Sequence, residues 1–262
     1  MKWLSAGWML AASMALAGVV QGQDTLSPAA ASSVATSPAP LDEAAQELLL
    51  ARATELVKAK QHAEAVAGPI DQIIHNYESA YAHSKKRIYN ATSPAESLLY
   101  LVTAAKDKVD AQVLGKPTWS SAYYLKAYAL EELDNLPEAE ASLLQALKLA
   151  PARSGFLSEL GNVYERQKDW PKALQAFKQA EDTAGISDKS KETPERCRAL
   201  RGQGYVLVEL RQLDEAQQKY RQCLKLDPGN QASANEVGYI EKLKSKPAGQ
   251  PPVSAATTKV AE

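Results

Sequence analysis

The sequence has few of the residues that usually perform catalysis or bind metals. Its 262 residues include three histidines and two cysteines. His62, His75 and His83 lack the spacing of two ligands on successive helical turns with a third ligand nearby. There is no Cys-x-x-Cys pair, no Gly-rich phosphate loop and no Gly-x-Ser-x-Gly nucleophile motif. The sequence therefore predicts a protein that is not an enzyme and that uses no metal or other cofactor.

An excess of charge of one sign is also missing. The 30 basic and 31 acidic residues leave a net charge of −1 at pH 7. A polyanion-binding surface needs clustered positive charge, so we expect no nucleic-acid partner. Aromatic residues make up only 6% of the chain, whereas 45% of it is hydrophobic. A chain of this length and composition is typical of an elongated helical domain.

Long apolar runs are confined to the N-terminus. One positive charge at Lys2 precedes an apolar stretch from Trp3 to Val20. This pattern predicts a secretory signal peptide over residues 1–22, cleaved near Gly22 or after Ala17. The alternative is an uncleaved anchor, because about 18 apolar residues can span a bilayer. After cleavage we expect no membrane insertion and a periplasmic or secreted location.

Two further segments have the composition of flexible chain. Residues 23–40 are rich in Ser, Ala, Thr and Pro and have no useful periodicity. Residues 246–262 combine three prolines with many small residues. Neither segment can bury enough apolar surface to fold, so we expect a flexible linker and a disordered tail.

Residues 41–115 have a helical pattern that is less regular than that of the rest of the chain. One helix is predicted to about Lys60, and a second from about Ala63 to Ile88, kinked at Gly68-Pro69.

A third helix is predicted to start at Ser93, because Ser93 can cap it and Glu96 lies three residues later. It should end by Gly115. The side chains that it is expected to bury are Leu98, Leu99, Leu101, Val102 and Ala105.

The most regular pattern lies between residues 157 and 180. Apolar and small residues at helical spacing run to Tyr164, a break follows at residues 168–171, and the pattern resumes at Ala173. This predicts two short helices joined by a tight turn. Gly161 and Ala173 would let the two backbones approach closely. Since one such hairpin cannot bury its own apolar face, it should repeat.

The small residues do recur at fixed intervals. Gly161, Ala173 and Ala180 are matched 34 residues earlier by Ala127, Ala139 and Ala146, and 43 residues later by Gly204, Ala216 and Cys223. One connection, between residues 182 and 194, therefore carries nine extra residues, as an extended helix or as a loop.

This pattern resembles the tetratricopeptide repeat (TPR) family. The best match comprises Leu157, Leu160, Gly161, Tyr164, Ala173, Phe177 and Ala180. The resemblance implies an all-α helix-turn-helix solenoid, a right-handed superhelix, in a TPR domain at 120–245. Its repeats would be 120–153, 154–187 and 197–230, with a final helix at 231–245. The irregular N-terminal helical region at 41–115 includes a turn at Gln61–Ala65 that resembles a degenerate repeat.

The repeat register also relates the two cysteines. Cys197 lies seven residues before Gly204, and Cys223 lies seven residues after Ala216. If Gly204 faces Ala216 across the hairpin, as Gly161 would face Ala173, the cysteines face each other. Export to an oxidising compartment would favour a disulfide. The alternative is two unpaired buried thiols, because packed helices often hold their α-carbons too far apart.

In the TPR family the first helix of each hairpin lines a concave groove that binds peptides. Carried over position by position, the resemblance implies that the peptide-binding residues are Tyr124, Tyr128, Glu131, Ser158, Asn162, Glu165, Arg166, Arg198, Arg201, Tyr205, Asn235 and Tyr239. Tyr124, Tyr128 and Tyr205 stand where family members that clamp a terminal carboxylate have polar residues. We therefore expect a mixed aromatic and charged groove rather than a carboxylate clamp.

The resemblance implies a protein-protein interaction adaptor or assembly factor with a protein or peptide partner. Together with the signal sequence, it places the chain in the envelope of a Gram-negative bacterium. The alternative is an architectural subunit of an envelope complex that acts through self-association or its N-terminal helices.

Overall fold

The computed structural model describes residues 41–245. The predicted signal peptide, linker and tail lie outside these residues. The helices are α1 (Glu43–Lys58), α2 (His62–Ala65), α3 (Asp71–Tyr81), α4 (Pro94–Lys106), α5 (Thr118–Glu132), α6 (Leu136–Leu149), α7 (Ser154–Arg166), α8 (Trp170–Thr183), α9 (Glu192–Glu209), α10 (Leu213–Leu226) and α11 (Gln231–Ser245). The expectation of an all-helical repeat fold is confirmed, apart from two short strands, β1 (Arg87–Asn90) and β2 (Ala111–Leu114). Within 41–245, no helix is long and apolar enough to cross a membrane.

Each helical hairpin turns at a residue with a left-handed backbone. The φ angles of Asp134, Lys168 and Arg211 are 60°, 60° and 62°, and Lys60 repeats this geometry with 61°. In every case the next residue donates its N–H to the carbonyl five residues earlier, at 2.8–2.9 Å. The alanines five residues after the turns, Ala65, Ala139, Ala173 and Ala216, are fully buried. The hairpin of α1 with α2 and α3 therefore shares the turn of the regular repeats.

The Phe177 ring fills the space between two glycines. A Cβ atom added to Gly161 would lie 2.6 Å from the ring, and one added to Gly202 would also overlap it. Phe177, one turn after Ala173, is the side chain nearest to Gly161, and the ring of Tyr220, one turn after Ala216, likewise lies against Gly204. Each ring thus fills the space beside a glycine of the facing helix.

Two N-terminal expectations have different outcomes. The kink is confirmed, since a π-helical turn at Val66–Ile70 contains non-helical φ and ψ at Gly68. The extension of the second helix to Ile88 is wrong, because α3 ends at Tyr81. Residues 87–90 instead pair in parallel with β2, and the Asn90 side chain binds the backbone of Lys116 and Ser120 at 3.1 and 2.9 Å. These long-range bonds outweigh the local helical pattern.

The Ser93 cap is confirmed, but the buried face of α4 is not the one expected. Ser93 Oγ accepts from the Glu96 N–H at 3.1 Å. The residues that α4 buries are Glu96, Tyr100 and Ala104. The side chains expected inside are exposed instead, at Leu98, Leu99, Leu101, Val102 and Ala105.

The reason is an ion pair that holds Glu96 inside. Arg153 donates to both of its carboxylate oxygens, at 3.0 and 3.2 Å. Thr92 and Ser187 also donate to it, at 2.6 and 2.8 Å. Burial alone would raise the pKa of the Glu96 carboxyl, but these partners lower it. A buried charge is tolerated only with such partners, so the face of α4 that carries Glu96 turns inward.

Ser187 belongs to the connection that carries nine extra residues. Helix α8 ends at Thr183, a short 3₁₀ turn covers Lys189–Lys191, and α9 begins at Glu192. Ser93 Oγ also donates to the Ile186 carbonyl at 3.1 Å. The two insertions in the repeat pattern, β1-α4-β2 and this connection, therefore contact each other.

Cys197 and Cys223 are joined by a disulfide. Their α-carbons are 4.8 Å apart, within the usual range for a disulfide. The bond links α9 to α10 within the third regular hairpin.

We expect Gly161→Ala to destabilise the fold, because the new methyl group would overlap the Phe177 ring. The cost should be roughly 1–3 kcal/mol, measured by urea unfolding. Gly155→Ala, in the same helix with nothing within 4 Å of the added Cβ, is the matched control and should not destabilise. Equal midpoints for the two variants would contradict this account of the packing.

Candidate functional site

The first helices of the regular hairpins, α5, α7 and α9, bring polar side chains together in two clusters, which Tyr220 of α10 and Glu236 of α11 complete. We call the surface that they form the first-helix face. The first cluster comprises Tyr124, Glu131, Glu159, Arg166 and Arg198, and the second comprises Glu165, Arg201, Tyr205, Tyr220 and Glu236. Because Gly161 and Gly202 let α7, α8 and α9 pack closely around the Phe177 ring, charged side chains of neighbouring repeats can contact each other.

The first cluster is largely paired within itself. Arg198 binds the carboxylate of Glu159 and also contacts the Tyr124 hydroxyl. Arg166 donates to the Glu131 backbone carbonyl at 2.8 Å and lies 3.7 Å from its carboxylate. The Tyr124 ring stacks on Phe156, with centroids 4.9 Å apart. These contacts fix the arginines in place before any partner arrives.

Glu131 has the least favourable environment of the groups in this cluster. Burial and the nearby charge of Glu159 raise the pKa of its carboxyl to about 8, although Arg166 and Arg198 oppose the rise. Its Oε1 atom is buried and has no hydrogen-bond partner within residues 41–245. Buried polar atoms are normally paired, so this oxygen is an available acceptor.

The second cluster has less internal compensation. Burial, and then the charge of Glu209, raise the pKa of the Glu165 carboxyl to about 8. Its Oε1 atom likewise lacks a hydrogen bond in the described part of the chain. Burial and the like charge of Arg198 lower the pKa of the Arg201 guanidinium. Among residues 41–245, Arg201 has no ion pair or side-chain hydrogen bond. One carboxyl oxygen of Glu165 and the guanidinium group of Arg201 are thus both left without a side-chain partner in this part of the chain.

Tyrosines and one further acid complete the second cluster. Burial raises the pKa of the Tyr220 hydroxyl, and the charges of Glu236 and Glu165 raise it further. Burial also raises the pKa of the Glu236 carboxyl. Tyr205 is 45% exposed, so it offers an aromatic surface beside these charges.

Seven of the twelve residues predicted from the sequence fall in these clusters. They are Tyr124, Glu131, Arg166 and Arg198 in the first cluster, and Glu165, Arg201 and Tyr205 in the second. The ion pairs of Arg198 and Arg166 show that these two arginines are already occupied, Arg166 also by Asp134 at 2.8 Å.

The other five lie apart from the clusters. Ser158 is buried and its hydroxyl is unpaired within residues 41–245, and Asn162 is half-buried one turn later. Tyr128 is exposed, and its ring lies edge-on to the ring of His62 of α2, with the two centroids 6.3 Å apart. On α11, Asn235 is bonded to Gln231 of the same helix, and Tyr239 is half-buried.

Sequence reasoning missed Glu159, Tyr220 and Glu236. Glu159 lies between Ser158 and Leu160 on a helix that is buried on nearly all sides. A carboxylate in such a place needs a positively charged partner. The position of Glu159 on a buried helix could therefore have predicted an ion pair such as the one with Arg198. The ring of Tyr220 also has a packing role, since it lies against Gly204. Within residues 41–245, no group of three or more His, Cys, Asp or Glu side chains could hold a metal ion.

Comparison with known families identifies the repeats. Residues 120–153 and 153–228 match two tetratricopeptide repeat models. Those residues are therefore tetratricopeptide repeats, a type of module that mediates protein-protein interactions. Comparison with curated proteins gives no match.

Solved structures are similar in fold. Pseudomonas aeruginosa pilF is 13% identical with a TM-score of 0.53, over 77% of this chain and 69% of that one. The first TPR of Spaghetti (RPAP3), bound to the HSP90 peptide SRMEEVD, is 19% identical with a TM-score of 0.42, over 48% and 94%. The N-terminal domain of stress-induced protein-1 from C. elegans is 17% identical with a TM-score of 0.43, over 48% and 96%. The likeness to pilF shows a shared helical-repeat fold.

The raised pKa of Glu165 predicts a pH-dependent stability. An acid whose pKa is about 8 when folded and near 4.5 when unfolded holds a proton more tightly in the native state. Its contribution to stability is therefore present at low pH and is lost as the pH rises from about 4.5 to about 8. Glu165→Gln should remove this dependence and raise Tm at pH 9 relative to the wild type.

Thermal melting between pH 5 and pH 9 measures this effect. The matched control is Glu215→Gln, at an exposed glutamate of α10, which should melt in parallel with the wild type. If Glu165→Gln and Glu215→Gln show the same pH profile, Glu165 is not desolvated in solution.

Proposed function

We propose that this chain, whose residues 120–228 are tetratricopeptide repeats, is a non-catalytic adaptor or assembly factor that binds a peptide or helix of a partner protein on the first-helix face. The observation that carries this proposal is the half-buried Arg201, which has no ion pair among residues 41–245, one helical turn before the 45% exposed ring of Tyr205. A bound segment would pair with the guanidinium group and pack on the ring. No step of bond chemistry is needed.

The pairing inside the face indicates which partner groups it accepts. Arg166 and Arg198 are neutralised by Glu131 and Glu159. The carboxylate of a partner would therefore bind Arg201, which has no ion pair among residues 41–245. The amide of Asn162, half-buried on α7, would bind backbone groups of the same segment.

Aromatic surface adds apolar contact to this polar recognition. Tyr128 and Tyr205 are 38% and 45% exposed. Tyrosines that keep part of their ring accessible beside polar groups are typical anchors for peptides. The face thus combines the three types of contact that an extended segment needs: apolar area, hydrogen bonds and charge pairing.

We also propose that the chain acts in the envelope of a Gram-negative bacterium, in the periplasm or after secretion. The signal-like sequence at 1–22 supports export. The Cys197–Cys223 disulfide is of the kind that persists in oxidising compartments.

An architectural role in an envelope complex is the second candidate. The observation that favours it is the outer surface of α4, where Leu98 is 65% exposed and Leu101 46% exposed. Exposed aliphatic side chains on one short helix are a common feature of association surfaces. Under this reading, self-association would depend on α4 and would be independent of the first-helix face.

Partner capture tests the first proposal. The bait is the full chain, and the groove variant combines Tyr128→Ala with Arg201→Glu. Captured proteins from an envelope fraction are identified by mass spectrometry, and their affinity for the purified chain is then measured directly. We expect the groove variant to bind the partner at least about tenfold more weakly, a loss of about 1.4 kcal/mol.

The matched control combines Leu144→Ala with Lys178→Glu, an exposed apolar residue and an exposed lysine on the second helices α6 and α8. It should bind the partner like the wild type. Equal binding by all three proteins would reject the first-helix face as the site. Loss of binding or self-association in Leu98→Ser with Leu101→Ser would then support the architectural role.

A further inference from the structure

Helix α4 presents its apolar side chains to solvent. Leu98, Leu101 and Val102 are 65%, 46% and 43% exposed, and Ala105 is exposed one turn after Leu101. Residues at spacings of three, four and seven lie along one side of a helix. These four side chains therefore form a continuous stripe, which we call the α4 stripe. A contiguous exposed apolar patch is typical of a surface that contacts a membrane or another protein.

The opposite side of α4 is fixed against the rest of the protein. Tyr100 is buried, and its ring stacks on Tyr89 of β1 with centroids 5.0 Å apart. Its hydroxyl accepts a hydrogen bond from the Ala152 N–H at 3.3 Å. Glu96, one turn earlier, is held by Arg153. The α4 stripe cannot turn inward without breaking these contacts, so it is ready to bind without reorganisation.

Four lysines lie near the carboxyl-terminal end of α4. Arg87 of β1 pairs with Asp107, just after α4, at 2.6 Å and donates its backbone N–H to the Asp110 carbonyl at 2.8 Å. The lysines lie within two residues of the Arg87–Asp107 pair, are exposed, and have no ion pair within residues 41–245: Lys85, Lys86, Lys106 and Lys108. The two segments that meet here, 85–87 and 106–110, contain five basic side chains against two acids. This end of the helix is therefore positively charged.

The α4 stripe and the lysines together indicate what covers this surface. Lys106 follows Val102 by one helical turn, so the stripe ends in positive charge. A second copy of this chain could cover the stripe, but its α4 would offer no acid to the lysines, because Glu96 is buried and paired. A membrane that contains anionic lipids offers hydrocarbon to the leucines and phosphate groups to the lysines on one surface.

We propose that the α4 stripe binds an anionic lipid surface, with its leucines at the boundary between headgroups and acyl chains and the lysines among the phosphates. Interfacial helices enter a bilayer by roughly 5–10 Å. This depth is enough to immerse the stripe while the buried side of α4 stays on the protein, and the helix does not cross the bilayer. The signal-like sequence at 1–22 would bring the chain to a membrane. Peptide capture on the first-helix face does not use α4, so either activity can fail without the other.

A fluorescent label on the α4 stripe tests the proposal in the full chain. The two cysteines of the sequence are joined in the Cys197–Cys223 disulfide, so Leu98→Cys supplies a single free thiol for a polarity-sensitive dye. With vesicles of equal parts phosphatidylglycerol and phosphatidylcholine, we expect the emission to shift to the blue as the label leaves water. Leu144→Cys, at an exposed leucine of α6, is the matched control and should not shift. Binding through residues 1–22 alone would leave both labels in water.

The contribution of the lysines is measured in the labelled Leu98→Cys chain. Adding Lys85→Gln with Lys86→Gln should weaken binding to the same vesicles by at least about tenfold, because each lysine near an anionic surface adds to the attraction. High salt should reduce this difference. Lys178→Gln with Lys225→Gln, at exposed lysines of α8 and α10, makes the same change of charge and should bind like the parent chain. Vesicles of pure phosphatidylcholine should bind all three chains weakly.

The proposal is overturned if the Leu98→Cys label does not shift with the mixed vesicles, or if the Leu144→Cys label shifts as much. Equal binding by the two pairs of lysine variants would also reject it. A blue shift that needs no vesicles and grows with protein concentration, together with a dimer in analytical ultracentrifugation, would show that a second copy covers the stripe instead.

Discussion

The contact of Phe177 with Gly161 and Gly202 controls the spacing on which the rest of the repeat domain depends. Because the ring occupies the space where a Cβ would lie, α7, α8 and α9 approach one another more closely than larger residues would permit. This close approach brings the first helices of successive hairpins within reach of each other. Arg198 can therefore pair with Glu159 across the α7–α9 boundary, and the polar face between repeats is a direct consequence of a glycine-aromatic contact in the core.

A second constraint acts where the chain departs from the repeat. Glu96 is fully buried, and a buried carboxylate without partners would be strongly unfavourable. Arg153 and Ser187 satisfy it from two other parts of the chain, which fixes α4 and the connection after α8 against each other. The orientation that satisfies Glu96 also leaves the leucines of α4 exposed. One ion pair thus determines which face of α4 the solvent reaches.

The repeats could be predicted from the sequence because their small residues recur at fixed intervals and have a local purpose at each turn. The rest depended on contacts between distant residues. Pairing of β1 with β2 and the Asn90 bonds overrode the helical pattern before Ile88. The inward face of α4 was set by Arg153, which lies 57 residues beyond Glu96. Position-by-position reasoning placed seven groove residues in the clusters, but it could not show that Arg166 and Arg198 were already paired, because the repeat pattern contains no information on neighbouring charges.

If a partner binds the first-helix face as we propose, proton binding and partner binding are thermodynamically linked. Burial raises the pKa of Glu131 and Glu165 to about 8, so near neutral pH both carboxyls are largely protonated and the face is less negative than its composition implies. A cationic group placed beside either carboxyl would favour its ionised form and release the proton. A neutral donor such as a backbone N–H would have a weaker effect. The proposed site would therefore discriminate between these two kinds of partner by pH: a cationic segment would gain affinity as the pH rises, whereas a neutral one would gain less.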